Sequence, residues 1–364
     1  MRAAVLYEPK TPLVVEDLDL LPPRANEVLV RLASAGVCRS DHHFMAGHAP
    51  FPTPVVLGHE GAAIVEELGP SVSNLKVGDP VILSFVPNCG FCHFCTIGRP
   101  YLCDVGSVAR GGLMDGTTRL RKGDMEIYQF AKLGCFGQYA VVPESACIKL
   151  PQGFPLDQAA LMGCSVPTGV GAVINTAQVE AGSTVAVVGC GGVGLNIIQG
   201  ARLVNAGKII AVDISDGALK MAERFGATDG VNSSKEDPVA RVRELTGGLG
   251  ADYTFESFGS ATTAKVAYEA ARKAGTVTIV GLAPVGESVS IDLTTLTRME
   301  KIVRGCYYGS ARPHVDFPKL TRLVQEGKLD LAILKQRSYG LDQVNEAYED
   351  LENGLPGRGV IVYE

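Results

Sequence analysis

The chain contains no tryptophan and no surplus of positive charge: its formal net charge is −6. Nucleic acid and anionic membrane surfaces both need a basic face, so neither is expected as a partner. Long apolar runs are missing too. Residues 158–179 and 184–201 carry no formal charge, but both contain glycines and polar residues, and the first is interrupted by Pro167, so neither reads as a membrane span. At the N-terminus Glu8 and Pro9 break the sequence before a signal-peptide core could form, which gives the expectation of a cytoplasmic protein. Disulfides rarely persist in that compartment. The ten cysteines therefore call for another explanation, and metal binding is the one their clustering supports.

What is present is ample core. Apolar residues make up 46% of 364, which is too long for one typical core and points to two domains. The 43 glycines imply many tight turns and close backbone approaches. Residues 1–85 alternate in short β-type runs at 3–7, 27–32 and 61–68, separated by turn clusters such as Pro22-Pro23 and Gly78-Asp79-Pro80. That rhythm predicts a small, barrel-like β unit. Residues 86–137 are rich in glycine, cysteine and charge, and are expected to be an irregular excursion held by metal. Strands are expected again at 140–143 and 148–151.

From residue 156 the period changes. Strands at 184–188, 208–213, 252–256, 276–280 and 301–305 alternate with helices such as 194–204 and 217–225. Such alternation predicts a parallel sheet covered on both faces. Helices at 317–325 and 341–351 and a strand at 359–363 complete the expected order.

Three motifs carry chemistry. The run Cys38-Arg39-Ser40-Asp41-His42-His43, the pair His59-Glu60 and the distant Cys164 offer two thiols and an imidazole. That is the donor set of a catalytic zinc with an open fourth position. A lone buried cysteine or histidine is usually a core residue, so the case rests on their company. Cys89, Cys92, Cys95 and Cys103 have the spacing of a closed tetrahedral zinc site, for which a structural role is expected, with His93 a loop residue between them. Gly189-Cys190-Gly191-Gly192-Val193-Gly194 follows an apolar strand and opens a helix, and Asp213 ends the next strand. In that context it reads as a dinucleotide fingerprint. Gly189 would allow the turn, Gly191 and Gly192 the approach of backbone amides to pyrophosphate, and Gly194 close packing. Asp213 would bind the ribose hydroxyls and repel a 2′-phosphate, favouring NAD(H) over NADP.

With these motifs in this order, nearly the whole chain resembles the zinc-dependent alcohol dehydrogenases of the medium-chain dehydrogenase/reductase superfamily, in their long two-zinc branch. Gly36 to Asp41, Gly58-His59-Glu60, the four-cysteine lobe, Gly163-Cys164 with Thr168, and the glycine motif carry the match. The resemblance implies an α/β protein: a GroES-like, β-rich catalytic domain plus a Rossmann domain with a doubly wound parallel sheet. It places the first at 1–165 with the zinc lobe at 86–105, the Rossmann domain at 166–308, and a return segment at 309–364. It implies two zinc ions (Zn2+) per chain, NAD(H), a small alcohol, aldehyde or ketone as substrate, and a homodimer or homotetramer joined by Rossmann sheet edges near 301–307. The run at 39–43, Leu102-Cys103-Asp104 and Pro313-His314 are also similar to actinobacterial alcohol dehydrogenases that hold NAD(H) through turnover. A nicotinoprotein with permanently bound NAD(H) is therefore the alternative. A non-catalytic nucleotide-binding protein on the same fold is a third reading, which has no need of an open metal site.

By the same resemblance Cys38, His59 and Cys164 bind the catalytic zinc. Ser40 takes the alcohol's proton and passes it through the nicotinamide ribose to His43, Asp41 orients His59, and Glu60 sits beside the metal. Arg39 and Arg358 match phosphate-side cations. Thr168, Val193 and Val280 match positions packed against nicotinamide, and Phe85 a wall of the substrate pocket. His42, His48 and His314 receive no role. Ala218 stands where horse-liver-type members have a lysine on the adenosine ribose. Ser107, with Arg110 nearby, stands where members acting on the glutathione adduct of formaldehyde have an arginine, which disfavours that substrate.

Overall fold

The computed structural model describes residues 1–107 and 111–364. The chain divides into two compact units. One comprises residues 1–164, 312–327 and 331–364; the other comprises 165–311 and 328–330.

The first unit is built on two largely antiparallel sheets. In one, Glu27–Gly36 is the central strand, pairing with Gly61–Leu68, Tyr139–Pro143 and the late strand Arg358–Val362. The last pairing brings the chain end beside Gly36, opposite Val360, and so sets Arg358 near Cys38. The second sheet joins Arg2–Leu6 to Val55–Val56 and then to Met125–Gln129. The excursion is thus less irregular than its composition predicts: Leu120–Lys122 and Met125–Gln129 form a hairpin inside it. Burial explains why it holds. Arg119, wholly inaccessible, donates through Nε and Nη2 to the Glu27 carboxylate and through Nη2 to Asp115 at 2.8 Å. A buried guanidinium with its charge matched can bridge distant segments; left unpaired it would be strongly destabilising.

The second unit is a six-stranded, wholly parallel sheet. Its spatial order is Asp229–Asn232, Lys208–Asp213, Thr184–Val188, Ala251–Glu256, Ala271–Ile279, Ile302–Gly305. In the unit's own strand count that is 3-2-1-4-5-6, the doubly wound order, whose topological switch lies between the first and fourth strands. Val185, Ala186 and Val187 are fully buried in succession, as a strand covered on both faces requires. The helices have chemical starts and stops. Ser215 caps Asp216–Phe225, which ends at Gly226 with φ +114, and Asp237 caps Pro238–Leu245 with proline in the first turn. The last strand is exposed along its length, including Ile302 and Val303. Among the described residues no single helix is long and apolar enough to cross a membrane.

Candidate metal centre and dinucleotide site

Four side chains of the first unit converge although the sequence holds them far apart. Ligand atoms of Cys38, His59, Glu60 and Cys164 lie within 4.8 Å of one another, and all four residues are buried. Cys38 follows the central strand and precedes the helix Arg39–Met45, in extended conformation and with its side chain not used as a cap. His59 and Glu60 enter just before Gly61–Leu68. Cys164 sits at the break between two helical segments. Glycine makes the closeness possible. A Cβ on Gly36 would lie 1.9 Å from Glu60 Oε2, and Gly58 adopts φ +89, with a Cβ there 2.8 Å from the Phe136 amide nitrogen.

The imidazole of His59 is fixed from behind. Its Nδ1 lies 2.9 Å from Asp41 Oδ2, and the Gly58 N–H donates to Asp41 Oδ1 at 3.0 Å. With Nδ1 directed at a carboxylate, Nε2 is the nitrogen left to bind a metal. Phe85 and Phe130 meet the ring edge-on at centroid distances of 5.3 and 5.7 Å. Phe130 was not legible as a site residue. It sits within the stretch read as irregular, and packs with Phe44 and Phe51.

Glu60 is completely buried. Arg358 Nη2 donates to its Oε2 at 2.7 Å, while its Oε1 has no hydrogen-bond partner among the described residues. Burial pushes the Glu60 carboxyl up to about 7 despite the opposing guanidinium. The sequence comparison put Arg358 on the phosphate side. The structure buries it to 5% exposure, where Nε and Nη2 donate to the Val37 carbonyl at 3.2 and 2.8 Å. The hydrogen bond from Cys164 holds the Cys38 thiol well below its usual range, aided by His59. Burial alone would depress the His59 imidazolium, but the charges of Asp41 and Cys38 outweigh it. Two thiols that compete for one proton, an imidazole oriented by a carboxylate and a buried carboxylate oxygen lacking a partner form a donor set that fits a divalent, thiophilic cation.

Ser40 and His43 lie three residues apart on Arg39–Met45, hence on one side of the helix. His43 is buried, and Arg39 is exposed. His42 points elsewhere, with Nε2 2.5 Å from Glu352.

The second cluster is self-contained. One sulfur each from Cys89, Cys92, Cys95 and Cys103 lies within 4.8 Å of the others. Backbone N–H groups converge on the sulfurs at 3.3 Å: that of Cys92 on Cys89, and those of Cys89 and Gly106 on Cys103. Such donors stabilise thiolates. Four of them fit a closed zinc shell. His93 opens a short helix inside this loop and supplies none of the four donor atoms. Ser107 places its carbonyl 2.9 Å from Lys132 Nζ, and Arg110 lies outside the described residues.

In the second unit the glycine motif forms the turn out of Thr184–Val188 into Gly192–Leu203. Gly189 takes φ +93. A Cβ on Gly194 would lie 1.9 Å from Gly189 O, whereas one on Gly191 would meet nothing within 4 Å. Space at Gly191 in front of a 12-residue helix's N-terminus suits an anionic pyrophosphate. Asp213 accepts from Cys190 N at 2.7 Å and Ser215 N at 2.9 Å, one on each oxygen. Its carboxylate is thereby oriented, and each oxygen keeps a second lone pair for a ribose hydroxyl. Thr168 is buried on Ser165–Gly171, beside Gly169, whose added Cβ would lie 2.6 Å from Val193 O. Val280 leaves its strand with its N–H bonded to Glu256 O.

Comparison with known proteins bears on both units. Residues 24–152 match the alcohol dehydrogenase GroES-like domain and residues 192–326 the zinc-binding dehydrogenase domain. The chain is 39% identical to the NDMA-dependent alcohol dehydrogenase of Amycolatopsis methanolica, over 100% of this chain and 98% of the relative. Two solved structures superpose over all of it. One is an alcohol dehydrogenase zinc-binding domain protein from Burkholderia ambifaria (35% identity, TM-score 0.95, 98% of that chain). The other is benzyl alcohol dehydrogenase from Acinetobacter calcoaceticus (33% identity, TM-score 0.94, 99% of that chain).

Proposed function

Because this chain belongs to the zinc-binding alcohol dehydrogenases, we propose that its Cys38–His59–Cys164 cluster holds the catalytic zinc and its glycine turn holds NAD(H). The protein is a zinc-dependent alcohol dehydrogenase that interconverts alcohols with aldehydes or ketones. Zinc supplies Lewis acidity toward the alcohol oxygen, and the nicotinamide supplies the hydride acceptor. The observation that carries the assignment is the buried convergence of two thiols and an oriented imidazole.

The chain's own residues then have these parts. Cys38 and Cys164 bind as thiolates and His59 through Nε2, with Asp41 fixing the ring. Glu60 stands by as a fourth donor, its charge balanced by Arg358. Ser40 accepts the alcohol's proton at Oγ and His43 receives it further along the same helix face. Gly189, Gly191, Gly192 and Gly194 form the phosphate turn, Arg39 adds a cation toward the phosphates, and Thr168, Val193 and Val280 line the nicotinamide. Cys89, Cys92, Cys95 and Cys103 hold a second, structural zinc. The aromatic setting of His59 favours apolar alcohols, as does the likeness to a benzyl alcohol dehydrogenase. Purified protein should contain zinc and oxidise benzyl alcohol and short primary alcohols in preference to polyols. Zinc-loaded, NAD-supplied protein that turns over no member of such a panel would overturn the reading.

Coenzyme choice gives a sharper outcome. Asp213→Asn keeps the shape but removes the charge, and with it one of the two contacts to backbone N–H groups, because the amide nitrogen cannot accept. Hydrogen bonds to a charged group contribute about 1.5–3 kcal/mol, so the NAD-over-NADP ratio of kcat/KM should fall by roughly tenfold to a hundredfold. An unchanged ratio would show that Asp213 does not face the ribose.

A second reading rests on the NDMA-dependent relative. In it NAD(H) stays bound through turnover and is reoxidised by a second substrate. Denaturing protein purified without added coenzyme separates the two: resident coenzyme appears at about one per chain, exchangeable coenzyme does not. The exposed strand Ile302–Gly305 supports a homodimer or homotetramer formed by sheet-edge pairing. Val303→Lys should then lower the mass measured by light scattering to that of a smaller assembly, with secondary structure unchanged.

A further inference from the structure

The helix Arg39–Met45 ends in a cap that aims a second histidine at His43. Ala46 is followed by Gly47 with φ +72; the Gly47 N–H donates to Phe44 O and the His48 N–H to His43 O at 2.8 Å. This is the Schellman arrangement, in which the residue after the left-handed position folds back over the residue three before the cap. Here those two residues are both histidines. Their Nδ1 atoms lie 3.3 Å apart, with ring centroids 5.5 Å apart and planes inclined at 57°. His43 is buried and His48 is exposed.

We propose that His48 is the outlet of the proton path: it takes the proton from His43 across the Nδ1···Nδ1 contact and releases it to solvent. This rests on the alcohol dehydrogenase reading for the proton's origin. In the starting pair His43 carries its proton on Nδ1 and donates it to the lone pair on His48 Nδ1. A proton arriving at His43 Nε2 makes that ring an imidazolium. The Nδ1 proton then crosses to His48, and His48 loses one from Nε2 to water. One proton enters and one leaves, and the starting tautomers return by proton exchange with water between turnovers, since turning a ring leaves its proton on the same nitrogen.

The surroundings favour outward movement. Burial lowers the pKa of the His43 imidazole from its ordinary value, as do the neighbouring cations His48, His42 and Arg39, so His43 does not retain the charge. Cys38 pulls weakly the other way. His42 is engaged with Glu352 on its own side, and the Lys10 side chain passes by the Gly47 turn. Among the described residues no carboxylate is paired with either ring to trap the proton. A buried histidine alone would have to open to solvent at each turnover. Its capped neighbour removes that need for the release step itself.

His48 is exposed and outside the metal cluster, so His48→Gln should fold normally. In stopped-flow oxidation of benzyl alcohol with a pH indicator at low buffer concentration, proton release should slow by about tenfold relative to NADH formation, a small share of a typical acid–base contribution. Millimolar imidazole should restore it. Independently, 15N-histidine NMR of the whole protein should show the His43 midpoint moving up in His48→Gln as a neighbouring cation is lost. Unaltered proton release, or a His43 titration identical in both proteins, would overturn the proposal. If the unaltered protein oxidises no alcohol, the enzymatic reading fails instead, and the NMR titration still decides whether the two rings share a proton.

Discussion

Replacing Cys38 with serine is expected to remove one zinc per chain and to cut alcohol oxidation by about a thousandfold or more, while leaving the fold intact. The size follows from the metal's task. Lewis-acid stabilisation contributes several kcal/mol, and each 1.36 kcal/mol is tenfold in rate. Serine keeps the volume of the side chain but holds its proton where the thiol gives it up. Cys38 is the residue of choice because its thiol already lies low, through the hydrogen bond from Cys164. Metal analysis should show the loss, and far-UV circular dichroism should be unchanged, since neither sheet of the unit depends on this side chain. Zinc content unaltered and activity within tenfold would place the reaction elsewhere.

Replacing Cys103 with serine should do the reverse. Cys103 is buried and its sulfur receives the Cys89 and Gly106 N–H groups. The other zinc should be lost, with the catalytic one retained. Binding of structural zinc is of the order of 10–16 kcal/mol in small zinc-finger peptides. Only part of that would appear in global stability here, because a lobe can open locally while the rest stays folded. The expected signs are rapid proteolysis between residues 86 and 105, loss of hydrogen-exchange protection there, and a lower Tm. Activity should fall far less than in Cys38→Ser. If both variants lose both metals together, the two clusters are not independent.

Some of this was readable in the sequence because its signals are local. The four cysteines lie within one short loop, and the glycine turn within six residues of a strand, so their spacing alone states the chemistry. The parallel sheet was legible for a related reason: residues 185–188 and 209–212, within Thr184–Val188 and Lys208–Asp213, are unbroken apolar runs. Amphipathic signals were weaker, and Pro238–Leu245, Ala261–Ala270 and the edge strand Asp229–Asn232 were not foreseen.

What stayed hidden depends on pairings between distant segments. Nothing near Arg119 announces that its partner is Glu27, and without that ion pair the hairpin at 120–129 looks like loop. The place of Arg358 is set by the pairing of its strand with Glu27–Gly36, which turns the guanidinium onto Val37 and Glu60. The Gly36 signal was available: a glycine two residues before a candidate ligand marks a place where something must approach closely, and that something is the Glu60 carboxylate.

The most direct test is anomalous diffraction at the zinc edge from crystals of the whole protein. A peak about 2.3 Å from the sulfurs of Cys38 and Cys164 and about 2.0–2.1 Å from His59 Nε2 is the predicted result. The absence of zinc there, or zinc bound without His59 and either sulfur, would contradict it.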